Sequence, residues 1–271
     1  MKRTTYIILG MLLAGLVAVC GCIFYASALI ISEDDSVMEI GGERKSVSLP
    51  DCKVIQFVSD RRIVCDNGNM KRIAFAFFPL RVIPTDSLTG SLSCLSGLER
   101  YLSLDSVGDT LRISLRFDKG ELEREYCGIE YVNVRSEEMV LYLPANVQQV
   151  TSCLKFQPVT FKDLERDSLA FSTDAYTEVE NCRFKALSAQ SGNLRFNSGE
   201  ALHLHLNLDE IDNWIVESDA FHVDTEYLYA SNEQKCILEK GECREVIWMP
   251  QSEKALLNIR LDRAAKIVVT E

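Results

Sequence analysis

The residues best suited to chemistry sit close together in the second half of the chain. All three histidines, His203, His205 and His222, fall there. His203 and His205 stand at i and i+2 of an alternating run and so share one face of a strand. Two imidazoles so placed could begin a metal site, which would need a third ligand such as Glu178 or Glu180 from the neighbouring coil. A solvated polar face explains the same pattern without a metal. Asp174 and Asp224 occupy matching positions two coils apart, about 9.6 Å at twice the strand-stacking distance. That separation suits an inverting pair of carboxylates acting on a glycoside. Gly199 stands between them with no Lys or Arg in the column, so turn-forming aspartates are the simpler reading. Trp214, Tyr227 and Tyr229 offer rings for stacking on sugars, although the repeat assigns both tyrosines to the interior. Gly-x-Ser-x-Gly, the phosphate loop and Gly-x-Gly-x-x-Gly are all missing. The sequence therefore nominates no catalytic, cofactor-binding or metal-ligating residue, and its expectation is a protein that is not an enzyme and needs no cofactor.

These side chains are positioned by a repeat. Phe171, Phe196 and Phe221 recur at intervals of 25 residues, each opening a short polar stretch followed by an alternating run. In that register Thr177, Leu202 and Tyr227 align, as do Val179, Leu204 and Tyr229, with Glu178, His203 and Leu228 on the opposite parity. A period in the twenties built of strands and turns predicts a solenoid, clearest over 160–232, whose coils bury their inner faces against one another. Leu202 to Leu208 directs four leucines one way and His203, His205 and Asn207 the other, and Leu202 is expected to touch Tyr227. The three phenylalanines are expected to form one interior column.

Upstream, short strand candidates follow in quick succession: Lys53 to Val58, Arg62 to Cys65 and Arg72 to Phe78. Asp66-Asn67-Gly68-Asn69 marks a turn between the last two. Val107-Gly108-Asp109-Thr110 turns the chain into a strand in which Leu111, Ile113, Leu115 and Phe117 alternate with Arg112, Ser114 and Arg116. After Leu208 the tail offers Val246 to Met249, Leu256 to Leu261 and Lys266 to Thr270, expected to cap the last open edge.

The N-terminus differs from the rest. Tyr6 to Ile31 is almost continuously apolar and long enough to cross a bilayer. Lys2 and Arg3 precede it and Glu33, Asp34 and Asp35 follow, which places the remaining chain outside the cytoplasm. The segment 1–31 reads as a retained membrane anchor; cleavage after Ala26-Ser27-Ala28, or lipidation at Cys22, leads to the same compartment. Residues 32–50, with Gly41-Gly42 and Glu43-Arg44-Lys45, read as a polar tether. The domain proper is expected over 51–271. Without Lys2 and Arg3, 27 basic residues face 40 acidic ones, a balance of −13. So acidic a surface is a poor partner for nucleic acid.

Ten cysteines accompany this. In an oxidising compartment the eight beyond the membrane segment could pair, in 105 ways. Cys236 and Cys243, joined by a chain that Glu239-Lys240-Gly241 can turn, are the best local candidates. Several could instead be small buried hydrophobes in a β core.

Gly108-Asp109-Thr110-Leu111-Arg112-Ile113, Val140-Leu141-Tyr142-Leu143-Pro144, Ser191-Gly192-Asn193-Leu194 and Ser198-Gly199 carry a resemblance. The segment from Leu111 to Tyr229 resembles the auto-transporter adhesin head GIN domain family, found in secreted and envelope proteins of one Gram-negative group. Here the third coil has Glu217-Ser218-Asp219 where the family repeats a Ser-Gly turn. The resemblance implies a right-handed parallel β-helix with an adhesive or surface role in the bacterial cell envelope, and no catalytic residues. Asp35-Ser36-Val37, Asp86-Ser87-Leu88, Asp105-Ser106-Val107, Asp109-Thr110-Leu111 and Asp167-Ser168-Leu169 are similar to the O-glycosylation acceptor triplet of that group. The expectation is a membrane-tethered solenoid presenting a surface to a glycan or protein ligand. The alternatives are a sensory or scaffolding ectodomain coupled to a membrane partner, and a β-helix carbohydrate-active enzyme.

Overall fold

Alternating sequence dictates strands, and the computed structural model, which describes residues 15–16, 19–20, 37–59, 64–66, 70–76, 78–116, 131–154, 158–217, 219–233, 238–240, 243–261 and 266–270, is an all-β solenoid of about five turns. The chain divides into Met1–Val37 and Met38–Glu271. In the first unit Gly15, Leu16, Val19 and Cys20 are helical and Val37 begins a strand. Among the described residues no helix is long and apolar enough to cross a membrane; most of the anchor expected over 1–31 lies outside them.

The strands of the first half are β1 (Val37–Glu39), β2 (Arg44–Ser48), β3 (Val54–Ser59), β4 (Val64–Asp66), β5 (Met70–Ala76), β6 (Leu80–Pro84), β7 (Ser91–Leu95), β8 (Leu102–Val107), β9 (Thr110–Leu115), β10 (Tyr131–Arg135), β11 (Met139–Leu143), β12 (Gln149–Ser152) and β13 (Val159–Lys162). Those of the second are β14 (Glu165–Glu180), β15 (Cys182–Phe196), β16 (Gly199–Asn207), β17 (Asn213–Val216), β18 (Phe221–Ala230), β19 (Leu238–Lys240), β20 (Cys243–Pro250), β21 (Ile259–Leu261) and β22 (Lys266–Val269). The stretch 32–50 is thus more than a tether, since it supplies β1 and β2, and β2 pairs antiparallel with β7.

Parallel pairing links β14, β15, β16, β18, β20 and β22 in that order. One interior column runs through nine rungs: Leu111, Ile55, Val150, Phe171, Ala189, Leu206, Leu228, Trp248 and Val269. All but the last are buried. A second, on another wall, is Leu141, Val82, Phe161, Val179, Phe196 and Val216, again buried throughout. Each fully buried large side chain contributes about 1.5–3 kcal/mol, so these columns are the main source of stability.

The ladder corrects the expected repeat. Partners lie 18 residues apart between β14 and β15 (Phe171 and Ala189), 17 between β15 and β16 (Ala189 and Leu206), and 22 between β16 and β18 (Leu206 and Leu228). Phe171, Phe196 and Phe221 are all buried, but on different ladders: Phe196 pairs with Val179 and Val216, and Phe221 with Gly199. Phe196 and Phe221 still touch, with ring centroids 5.1 Å apart, while Phe171 stacks on Phe161 at 4.4 Å. Hydrogen-bond register, not ring spacing, decides which residues stack, and the corners set that register.

The corners are specified locally. Asp163 and Asn181 adopt positive φ, 56° and 49°, a conformation that short polar side chains tolerate best after glycine. The Asn181 side chain donates to Asp163 Oδ1 at 2.7 Å, and its backbone N–H donates to Ser198 Oγ at 2.8 Å. At the next corner Gly199 has φ 124°, and a Cβ there would lie 2.0 Å from the Cys182 carbonyl oxygen. Only glycine fits. Within the wall the register shifts between Thr173 and Tyr176, and inward hydroxyls answer the displaced backbone. Thr173 and Thr177 share a 2.6 Å hydrogen bond, and Thr177 and Ser191 both donate to the Ala175 carbonyl.

In the first half, rungs come from distant segments. Val159 of β13 lies over Leu80 of β6, and Val150 of β12 over Ile55 of β3. Antiparallel strands close this end: β8 on β9, and β7 on β11 with β2 on β7. The expected hairpin turn at Gly108 is present, with φ 59°, and β4 pairs antiparallel with β5; the turn expected at Asn67-Gly68 lies outside the described residues. Leu111, Ile113 and Leu115 are buried as the alternation requires; Phe117 lies outside the described residues. At the other end β22 is the last strand of the sheet path among the described residues, so the tail expected to cap the stack adds rungs to it instead.

Candidate functional site

On the outer side of the nine-rung wall, the column beside the core one reads Gln149, Ala170, Ser188, His205, Tyr227, Ile247 and Val268. It changes character midway, from small and polar to aromatic and aliphatic. The His205 and Tyr227 rings are stacked, centroids 4.4 Å apart and planes within 8°. His203 meets the same tyrosine edge-on at 5.8 Å. Tyr229 and Met249 form the next outward pair and are half-buried.

The tyrosines therefore face outward, contrary to the inward register expected for them, and Leu228 is the buried residue between them. The cause is a local slip of parity. Leu202 and His203 are both exposed on β16, whereas Thr225 and Glu226 are both buried on β18. Leu202, expected to touch Tyr227, is half exposed, and His205 takes its place. Glu226 sits in the core column between Leu204 and Val246, a carboxylate among aliphatic residues that no alternation pattern announces.

The other candidates are dispersed. His203 and His205 do share a face, but Glu178 lies on another wall beside Arg195, and Glu180 is paired with Lys162 at 3.0 Å. His222 stands opposite Glu200 in a separate column. Among the described residues no group of three metal-ligating side chains occurs. Asp174 is exposed at the register shift of β14, and Asp224 pairs with Arg244 at 3.1 Å. They occupy different columns, so the inverting pair is not assembled. Trp214 is buried in the core and offers no ring to a ligand.

Beside the aromatic strip lies an open groove of about 310 Å³, lined by Glu165, Arg166, Asp167, Arg183, Phe184, Lys185, Glu200 and Leu202. Its charges alternate from coil to coil. Lys185 meets Asp167 at 2.7 Å, and Arg183 meets Glu200 at 3.7 Å. Arg166 donates to the Leu143 carbonyl at 2.7 Å, and burial holds its guanidinium below the usual basicity. His205 is likewise less basic than usual, first through burial and then through the neighbouring His203. Groove and strip meet where Leu202 precedes His203. Together they set a pair of stacked rings next to a row of donors and acceptors.

None of the described cysteines lines the groove or the strip. Cys52, Cys94 and Cys182 are buried free thiols. Burial pushes the Cys182 thiol up to about 12, and its Sγ donates to the Glu180 and Phe161 carbonyls at 3.2 and 3.4 Å. These three fit the reading of cysteine as a small core residue. Cys236, and with it the Cys236–Cys243 pairing, lies outside the described residues.

No protein-family model matches the chain, and no curated protein does. Among solved structures, the chain is similar to a candidate adhesin from Bacteroides fragilis, at 9% identity and TM-score 0.47 over 86% of this chain and 100% of that one. It is also similar to a candidate adhesin from Parabacteroides merdae, at 10% identity and TM-score 0.43 over 86% of this chain and 98% of that one. A candidate lipid-binding protein from Parabacteroides distasonis aligns at 12% identity and TM-score 0.40, over 87% of this chain and 100% of that one.

Proposed function

We propose that this chain works by presenting the outer wall of its solenoid to a glycan, as an adhesive module and not as a catalyst. The observation that carries the reading is the stacked His205–Tyr227 pair on the outward side of the ladder. A sugar offers an apolar C–H face and a rim of hydroxyls. The apolar rims of the two rings, continued by Ile247 and Val268 in the same column, suit the first, and the alternating charges of the adjoining groove suit the second, since each ion pair supplies a donor and an acceptor. Groove and strip together run over several adjacent rungs, from β14 to β20, which favours an extended ligand over a small one.

In this reading residues 1–31 tether the solenoid outside the cytoplasm, in the bacterial cell envelope, because Lys2 and Arg3 precede an uncharged apolar run. The winding is right-handed, as the right-handed crossover of parallel strands favours, and the kinship is with the GIN-type adhesin heads. The test is titration of the full chain with envelope polysaccharides. Tyr227→Ala and His205→Ala should each weaken binding, by up to about tenfold for a ring contact, without changing the circular dichroism spectrum. Unaltered binding by both variants would remove the platform. Binding of proteins but no glycan would move the ligand class, and loss of function on replacing Tyr6 to Ile31 by an unrelated span would favour the sensory ectodomain.

A further inference from the structure

Resting on the glycan reading above, we propose that the ligand is acidic and that Arg166, in the groove beside the strip, binds its carboxylate. Arg166 stands where the ladder calls for an apolar residue. In its column Phe184, Ala201 and Val223 are all buried and uncharged. Arg166 is itself half-buried, and that burial keeps its guanidinium less basic than usual. It stays protonated all the same, as arginine does at any pH a protein ordinarily meets.

Three acids and three bases line the groove, so its net charge is zero. Most of these charges already have partners. Lys185 pairs with Asp167 and Arg183 with Glu200, while exposed Glu165 stands opposite Arg183 in the ladder. Among the described residues no carboxylate pairs with Arg166. Its Nη2 donates to the Leu143 carbonyl at 2.7 Å, but that carbonyl also accepts the Thr85 N–H at 3.2 Å. The carbonyl is therefore satisfied without Arg166, and a structural role does not call for a cation. A guanidinium carries five N–H donors in a planar fork, and this contact takes one of them. A charge withdrawn from water is costly until an opposite charge meets it, and the open groove admits one. The fork matches a carboxylate in bidentate fashion. Density of charge is limited by the surroundings. Glu165 and Asp167 flank Arg166, and the chain as a whole carries −11, so a polymer charged at every unit is repelled. The ligand that fits is a glycan with single carboxylates set among neutral sugars.

Nuclear magnetic resonance of the isotope-labelled full chain in detergent micelles tests this, read at the Phe184 and Lys185 backbone amides. Methyl glucuronoside should shift both signals, and methyl glucoside, its neutral counterpart, should not. Arg166→Gln, whose amide can still donate to Leu143, should weaken glucuronoside binding by about tenfold or more. Arg166→Lys keeps the charge without the fork; it should fall between the two, and it serves if the Gln variant does not fold. An envelope polysaccharide that binds the chain should bind about tenfold more weakly once its carboxyls are reduced to alcohols. Equal binding of glucuronoside and glucoside would overturn the proposal. So would glucuronoside binding that survives both variants while the melting temperature falls, which would leave Arg166 a purely structural side chain. Inorganic sulfate that displaces glucuronoside at equal concentration would overturn the assignment to a sugar acid. The two readings fail separately. Glucuronoside binding that needs Arg166, in a chain that holds no polysaccharide, would uphold the carboxylate site and remove the adhesive role; polysaccharide binding indifferent to carboxyl reduction would do the reverse.

Discussion

The solenoid is built in two ways. From β14 onward each coil follows its predecessor after 17 to 22 residues, and contacts are made between neighbours in sequence. Before β13 the parallel rungs of the same walls join segments 56 to 95 residues apart, as in Ile55 with Leu111 and Ile55 with Val150. The core column crosses from one regime to the other without a break. Packing does not distinguish the halves; the cost of closing the loops does, since long closures must be completed before their contacts stabilise anything.

The largest expected effect breaks the regular half at its tightest corner. Gly199→Ala places a methyl 2.0 Å from the Cys182 carbonyl at φ 124°, and should destabilise by about 3 kcal/mol or more, read from the chemical denaturation midpoint. A milder test of the comparison is kinetic. In pulsed hydrogen exchange during refolding, amides of β14, β15 and β16 should gain protection before those of β3 and β9, and simultaneous protection would mean the halves fold as one unit. The smallest effect concerns pH. His205 is held below its ordinary value of 6.5, so the folded state binds its proton less readily than the unfolded chain. Stability should be fully present above that value and decline as pH falls through 6.5 and below. His205→Phe should flatten this part of the urea-midpoint profile between neutral and mildly acid pH.

The same division governs what could be read in advance. Strand content, the Gly108 turn and the alternation of Leu111, Ile113 and Leu115 are local features, and sequence discloses them. A parallel stack over the second half was also legible, because each coil repeats soon enough for its pattern to show. Its period was not. The ring spacing of 25 overlooks the corners at Asp163, Asn181 and Gly199, whose lengths fix the register residue by residue. One parity slip, with Leu202 and His203 outward and Thr225 and Glu226 inward, then turned Tyr227 and Tyr229 from expected core into surface. The candidate platform was hidden for that reason, although both of its residues had been singled out by type. In the first half, nothing local announces that β6 will lie beneath β13.

Paired cysteines decide the register most directly. His205→Cys with Tyr227→Cys should close a disulfide within one chain, because adjacent rungs of a parallel ladder lie about 4.8 Å apart. Leu202→Cys with Tyr227→Cys, the pair that a 25-residue repeat would align, should stay reduced. The opposite outcome, linkage through Leu202 and none through His205, would contradict the ladder described here and the outward platform built on it.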